Sequence, residues 1–387
     1  METEKRAEEQ KRTEALELLK SILEIPSVNG KDREQETAVY LAEYLKRKGM
    51  ETRVQLIDEH HGNVIGVLKG KTEETILFNG HLDTVPYGDI NEWNTNPAVC
   101  TEQDGRLYAR GASDMKSGLA VMAFVLGELA ESGCVPRKTI VFAGTCDEER
   151  GGLGAKEIIK EYPDLFPELL LIGEPTSCQA GVAQKGCIWL KLSVSGKTSH
   201  GAEPWQGINA LEQGFGLLAD LREELKREEH PVLGHSTLQI TMAEGGIAPN
   251  MTPDRAKFLA DIRIVPPLNE KEVLNRLECL MQKRCEVYNG GLAFVPEITN
   301  YRMPVETGPE NQWLHRLKGF IGDDAGETGI NYFTDASILL TAWPDSPALL
   351  FGPGEPQMCH KPNEYVEISK YLEAIRVMEK FCWYIAK

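Results

Sequence analysis

Four short, mostly apolar runs end on glycine, and each is followed by histidine or acid. TILFNG (75–80) leads to His81 and Asp83, and KTIVFAG (138–144) leads to Asp147, Glu148 and Glu149. ELLLIG (168–173) leads to Glu174, and PALLFG (347–352) opens a Gly/Pro loop that ends in His360. Runs of this kind are the pattern of strands buried on both faces of a mostly parallel sheet. TRVQLI (52–57) and NVIGVLK (63–69) read as further strands. Helices are expected between them. Leu16, Leu19, Ile22 and Leu23 fall at helical spacing, residues 115–129 are apolar almost all round, and 368–385 carries a helical stripe. The alternation predicts an α/β body, a mostly parallel mixed sheet with helices on both faces.

Residues 184–298 carry a different pattern. CIWLKLSVSG is strand-like, NALEQGFGLLADLREEL helical, and STLQITMA and RAKFLADIRIV strand-like; EKEVLNRLECLMQKRCEV is helical, and GLAFVPEI closes as a strand. That order, βαββαβ, is the ferredoxin-like split unit, a four-stranded sheet with two helices on one face. It is expected as an insert, leaving the first domain in two parts, 1–183 and 299–387. The length of 387 residues also favours two domains over one core.

Charge and cysteines narrow the setting. With 59 acidic and 42 basic residues the net charge is −17, which repels phosphate backbones and argues against a nucleic-acid partner. A small carboxylate substrate needs only a local cation and stays compatible. No apolar run is long enough to cross a bilayer, so no membrane association is expected. The charged N-terminus lacks the apolar stretch of a secretory signal, which points to the cytoplasm. The nine cysteines include no CxxC pair and read as reduced thiols, Cys146 and Cys359 included.

Each acidic or histidine motif taken alone has a bland reading. HxD is a common chance match, DEER is usually a solvated helix start, and GEP is usually a turn. Their joint placement argues otherwise, because ligands in open α/β sheets bind at the carboxyl ends of strands. Asp114, in the ARGASD loop ahead of the buried 115–129 helix, joins the same set. Two imidazoles and several carboxylates in one place need cations, and mixed His and carboxylate ligation suits zinc, with cobalt or manganese as alternatives. Two divalent metals would share a bridging carboxylate, and one acid would be left to take the proton of a water attacking a carbonyl. Glu148 and Glu149 can divide the roles of base and ligand, and Asp83 is spaced to hold the second ring nitrogen of His81.

GHLDTVP (80–86), ARGASDMKSG (109–118), DEE (147–149), GEPT (173–176) and FGPGE…CHKPNEY (351–365) resemble the signatures of the zinc aminoacylase and carboxypeptidase family. That group includes acetylornithine deacetylase, succinyl-diaminopimelate desuccinylase and glutamate carboxypeptidase. The resemblance runs in order along essentially the whole chain. It implies that Asp114 bridges two metals, with His81 and Glu174 on one and Glu149 and His360 on the other. It makes Glu148 the general base, has Asp83 orient His81, and implies a cis peptide between Asp114 and Met115. It also makes the insert a lid and dimerisation domain. In GKTSHGAEPWQGINA (196–210), His200 would stabilise the oxyanion, often from the partner subunit; in GGIAPNMTPDRAKFLADIR (245–263), Asn250 and Arg263 would hold a substrate carboxylate. Without the resemblance, His200 reads as a loop histidine and Arg263 as a strand cation.

The expected protein is therefore a homodimeric two-metal hydrolase of the amide bond in a small N-acyl amino acid, closest in pattern to the acetylornithine deacetylases. Dipeptidase, carboxypeptidase and desuccinylase specificities are the alternatives. The stretch QKG (184–186) stands where the desuccinylases carry arginine-rich sequence, which weighs against the last. A catalytically silent metal-binding scaffold would have lost the base or a ligand, and every such position is filled.

Overall fold

The computed structural model describes residues 2–322 and 325–387. The chain divides into two compact units, one of residues 1–182, 306–329 and 334–387, the other of 183–305 and 330–333.

The first unit is built on a nine-stranded mixed sheet. Its four central strands are mutually parallel, in the order Thr139–Thr145, Thr75–His81, Leu169–Ile172 and Ala348–Leu350. The strands Gly62–Leu68 and Ala180–Gln184 flank these four and run antiparallel to them. Every residue of Thr75–His81 and Leu169–Ile172 is buried, so the continuous apolar runs have no solvent face to mark by alternation. The helix Lys116–Glu131 buries Leu119, Met122, Phe124 and Leu126. Each such side chain contributes roughly 1.5–3 kcal/mol on leaving water. It starts one residue after the predicted Met115, which is its N-cap. Gly118 lets this helix touch the end of its neighbouring strand, since a Cβ there would lie 1.7 Å from the Gly173 carbonyl oxygen.

The second unit is the βαββαβ arrangement, with sheet order Thr237–Gly245, Arg255–Ile264, Gly186–Ser195, Ala293–Arg302 and every neighbouring pair antiparallel. Ile188, Leu190, Leu192 and Val194 face one way and pack with Leu217, Leu221, Val273 and Leu277 of the helices Ala210–Leu225 and Glu270–Val287. The last strand passes the expected end at 298 because a register shift between Ile298 and Asn300 breaks its alternation, and it runs on to Arg302. No helix among the described residues is long and apolar enough to cross a membrane.

Candidate metal centre

Because the four central strands are parallel, their carboxyl ends lie on one edge of the sheet. His81 is the last residue of its strand, and Glu148 and Glu149 follow Thr139–Thr145. Glu174 follows Leu169–Ile172, and His360 comes from the loop after Ala348–Leu350, at a left-handed φ of 63°. Asp114 precedes the buried helix, and the Asp114–Met115 peptide is cis.

The side chains converge. Asp114 lies between the two histidines, its Oδ1 3.1 Å from His81 Nε2 and its Oδ2 3.4 Å from His360 Nε2. His360 Nε2 is 3.0 Å from Glu149 Oε2, and His81 Nε2 is 4.0 Å from Glu174 Oε1. His81, Asp114 and Glu149 each offer a donor atom within 4.8 Å of the others. Glu174 Oε2 is buried with no hydrogen-bond partner, a costly state for a carboxylate oxygen. This pairing, one histidine and one acid on each side of a shared aspartate, fits two divalent cations of the zinc, cobalt or manganese kind.

Electrostatics agree with that fit. Burial pushes the Glu148 and Glu174 carboxyls well above the usual carboxylate range, and burial and the charge of Asp114 raise Glu149. Burial acts the same way on Asp114, but hydrogen bonds from His360 and His81 hold it below its ordinary value. Hydrogen bonds to Asp114 and Glu149 push His360 up to about 10. Acids packed this closely demand compensating positive charge.

Asp83 meets the second ring nitrogen of His81, but chiefly through its main chain. The nearest partner of His81 Nδ1 is the Asp83 main-chain carbonyl at 2.9 Å, with the carboxylate Oδ1 at 3.7 Å. The carboxylate instead accepts the backbone N–H groups of Glu148 and Glu149, each at 3.1 Å. A residue two positions after a strand-end histidine can turn its carbonyl back to the ring, which frees the carboxylate for the neighbouring strand's turn.

Glu364 has a structural part that its motif gave no reason to single out. It is fully buried and accepts N–H groups from Gly111 (3.1 Å), Ser113 (2.8 Å) and Asp114 (2.9 Å). Arg110 Nη1 pairs with it at 2.7 Å. The loop that presents Asp114 is thus organised by one carboxylate 250 residues later. An acid four residues after His360 was visible in the sequence, but nothing local says that it points inward.

In the second unit, the structure brings the His200 and Asn250 segments together. Gly201 N–H donates to the Asn250 carbonyl at 2.8 Å, and Thr252 N–H to that of Ser199 at 2.9 Å. Both residues are exposed, and His200 Nδ1 accepts the Ala202 N–H at 3.1 Å. Arg263 is elsewhere. These loops begin at the Arg255↔Ser195 end of the sheet, where Gly196 meets Asp254, whereas Arg263 pairs with Cys187 at the other end. Eight extended residues span roughly 26 Å. Within one chain the extended strand therefore keeps the start of the Asn250 loop and Arg263 at opposite ends of the sheet. Asp261 binds Arg263 through Oδ1 at 2.7 Å and Oδ2 at 3.1 Å, and Phe333 lies 5.7 Å from its guanidinium.

Comparison with known proteins yields three kinds of match. The model of Peptidase family M20/M25/M40 matches residues 77–384. An acetylornithine deacetylase from Shigella sonnei is 29% identical over 391 residues, covering 95% of this chain and 98% of that protein. Among solved structures, an M20 family metallo-carboxypeptidase from Sulfolobus solfataricus aligns with a TM-score of 0.73 at 19% identity, covering 95% of this chain and 98% of the other. A dinuclear metal-binding M20 peptidase from Bacillus subtilis aligns with a TM-score of 0.72 at 13% identity, covering 98% and 99%. At these identities the structures speak for the fold.

Proposed function

The chain belongs to peptidase family M20/M25/M40, and from that premise we propose that it deacylates a small N-acyl amino acid. The observation that carries this reading is Asp114 set between His81 and His360, with an acid beside each histidine. His81 and Glu174 would hold one divalent cation and Glu149 and His360 the other, with Asp114 shared; zinc suits this donor set. Bound there, the cations would acidify water and offset the negative charge that builds on the scissile carbonyl oxygen.

The chain's own residues do the rest. Glu148, buried beside these groups, takes a proton from the attacking water and returns it to the leaving amine. His200 donates to the oxyanion, and Arg263 forks onto the substrate carboxylate. The separation of Arg263 from the loops of His200 and Asn250 supports a homodimer in which a site draws its arginine from one copy and its histidine and asparagine from the other. Acetylornithine-type deacetylation is favoured by the 29% identity to a deacetylase, with carboxypeptidase and dipeptidase activity as the second reading.

The test is hydrolysis of N-acetylornithine, other N-acetyl amino acids, N-succinyl-diaminopimelate and dipeptides after chelator stripping and reloading with zinc or cobalt. We expect turnover to vanish on stripping, to return with metal, and to fall by roughly 10²–10⁴ in Glu148→Ala. Faster cleavage of a dipeptide than of any N-acyl amino acid overturns the deacylase reading. Full activity in Glu148→Ala overturns the base.

A further inference from the structure

Where the strand Thr139–Thr145 ends, the chain continues for four residues whose backbone N–H groups are all held by buried side chains. Cys146 N–H donates to Asn63 Oδ1 at 3.1 Å, and Asp147 N–H to Glu34 Oε2 at 2.8 Å. The N–H groups of Glu148 and Glu149 donate to the two oxygens of Asp83. The three acceptors come from separate places in the chain, and Asn63, Glu34 and Asp83 are fully buried.

Asn29 ties two of these acceptors together. Its side-chain amide lies 3.1 Å from Glu34 Oε1, 2.9 Å from Asp83 Oδ2 and 3.2 Å from Asp147 Oδ1. Asn29 is itself anchored, its N–H donating to the Thr84 carbonyl at 2.8 Å. Asp147 needs such support, since it sits in the left-handed region at φ 61°. Its other carboxylate oxygen accepts the Leu153 N–H at 3.1 Å, and its carbonyl accepts from Gly151 and Gly152.

Resting on the assignment of Glu148 as base, we propose that Asn29 and Glu34 are positioning residues for hydrolysis. Acting with Asp83, they lock the turn that aims the Glu148 carboxylate at the attacking water. A turn held by its own main chain alone would leave these N–H groups unpaired in a buried place, at a cost of about 1–3 kcal/mol each. Here the lock comes from side chains on three other segments, so the base direction depends on residues that never meet the substrate. Burial and the nearby Asp83 charge push the Glu34 carboxyl up to about 9, which lets it share the Asn29 amide with Asp83 without two charges facing each other at neutral pH.

The experiment measures kcat and KM for Asn29→Ala, Glu34→Ala and Glu34→Gln in the full-length, metal-loaded protein, each also combined with Glu148→Gln. Hydrogen exchange of the peptide spanning 146–150 is followed alongside. We expect each alanine variant to lower kcat by about 10–100-fold with KM within about two-fold, as misaimed groups do. Exchange should rise in that peptide and not elsewhere. Glu34→Gln keeps an oxygen for the Asp147 N–H but turns its NH2 toward the Asn29 amide, so it should recover part of the loss. In the Glu148→Gln background the penalty should shrink below about three-fold, because the aimed group is already gone. An equal penalty in both backgrounds, or unchanged kcat with unchanged exchange, overturns the proposal. Should an alanine variant not fold, Asn29→Ser and Glu34→Gln with their Glu148→Gln partners decide it. Failure of the base assignment shows separately, as full activity in Glu148→Gln alone.

Discussion

The two units of this chain treat their chemical groups in opposite ways. In the first, His81, Asp114, Glu148 and Glu174 are buried, with Glu149 half-buried and His360 exposed, and their loops are pinned by other buried side chains, Glu364 beneath Asp114 and Asp83 beneath Glu148 and Glu149. In the second, His200 and Asn250 are exposed on loops, and Arg263 stands at the far end of the sheet. The side chains around Asp114 come together within one chain. A surface that presents its groups outward acts through whatever it closes upon.

Four substitutions would break or sharpen that contrast. The largest stability effect is expected from Glu364→Ala, which leaves the buried Arg110 and three N–H groups without their acceptor. Removing one partner of a buried pair typically costs about 3–5 kcal/mol. Urea unfolding would measure it, and a loss below about 1 kcal/mol would show that the loop does not depend on Glu364.

His200→Ala should leave unfolding nearly unchanged and lower kcat by roughly 10²–10³, the usual loss for an oxyanion donor. Mixing it with Arg263→Ala sharpens the comparison. If a site uses the arginine of one copy and the histidine of the other, mixed dimers carry one intact site and about a quarter of normal activity returns. No recovery, with mixed dimers verified by mass, would place both residues in a single copy's site. The smallest effect is expected at Lys191, whose exposed pair with Glu297 at 2.7 Å lies on the sheet face away from the helices. Lys191→Ala should change stability by no more than about 1 kcal/mol.

How much of this was legible beforehand differs by residue. Four of the expected ligands and Glu148 stood at or just after a strand end or before a buried helix, and His360 in the loop after a strand; such punctuation survives in one dimension. Asp83 was legible as the neighbour of the His81 ring, but not that its main-chain carbonyl makes the closer contact while its carboxylate serves the next turn, because which atom meets which neighbour depends on rotamer and backbone direction. Glu364, Asn29, Glu34 and Asn63 were not legible as parts of the centre. The loops they hold around Asp114 and Glu148 lie 54 to 253 residues away, and no periodicity reports such a contact. Asn250 and Arg263 came from one segment that resembles a family signature, and the sequence did not show that the extended strand Arg255–Ile264 puts them toward opposite ends of the sheet.

By itself, then, the sequence determined the layers, the order βαββαβ in the second unit, and the gathering of acids and histidines at strand ends. Burial pattern and parallel direction are local properties, written in apolar runs and their glycine stops. Only the tertiary structure decided what holds each group still and which groups one copy can bring to one substrate, because buried hydrogen bonds and through-space distance belong to the packed chain.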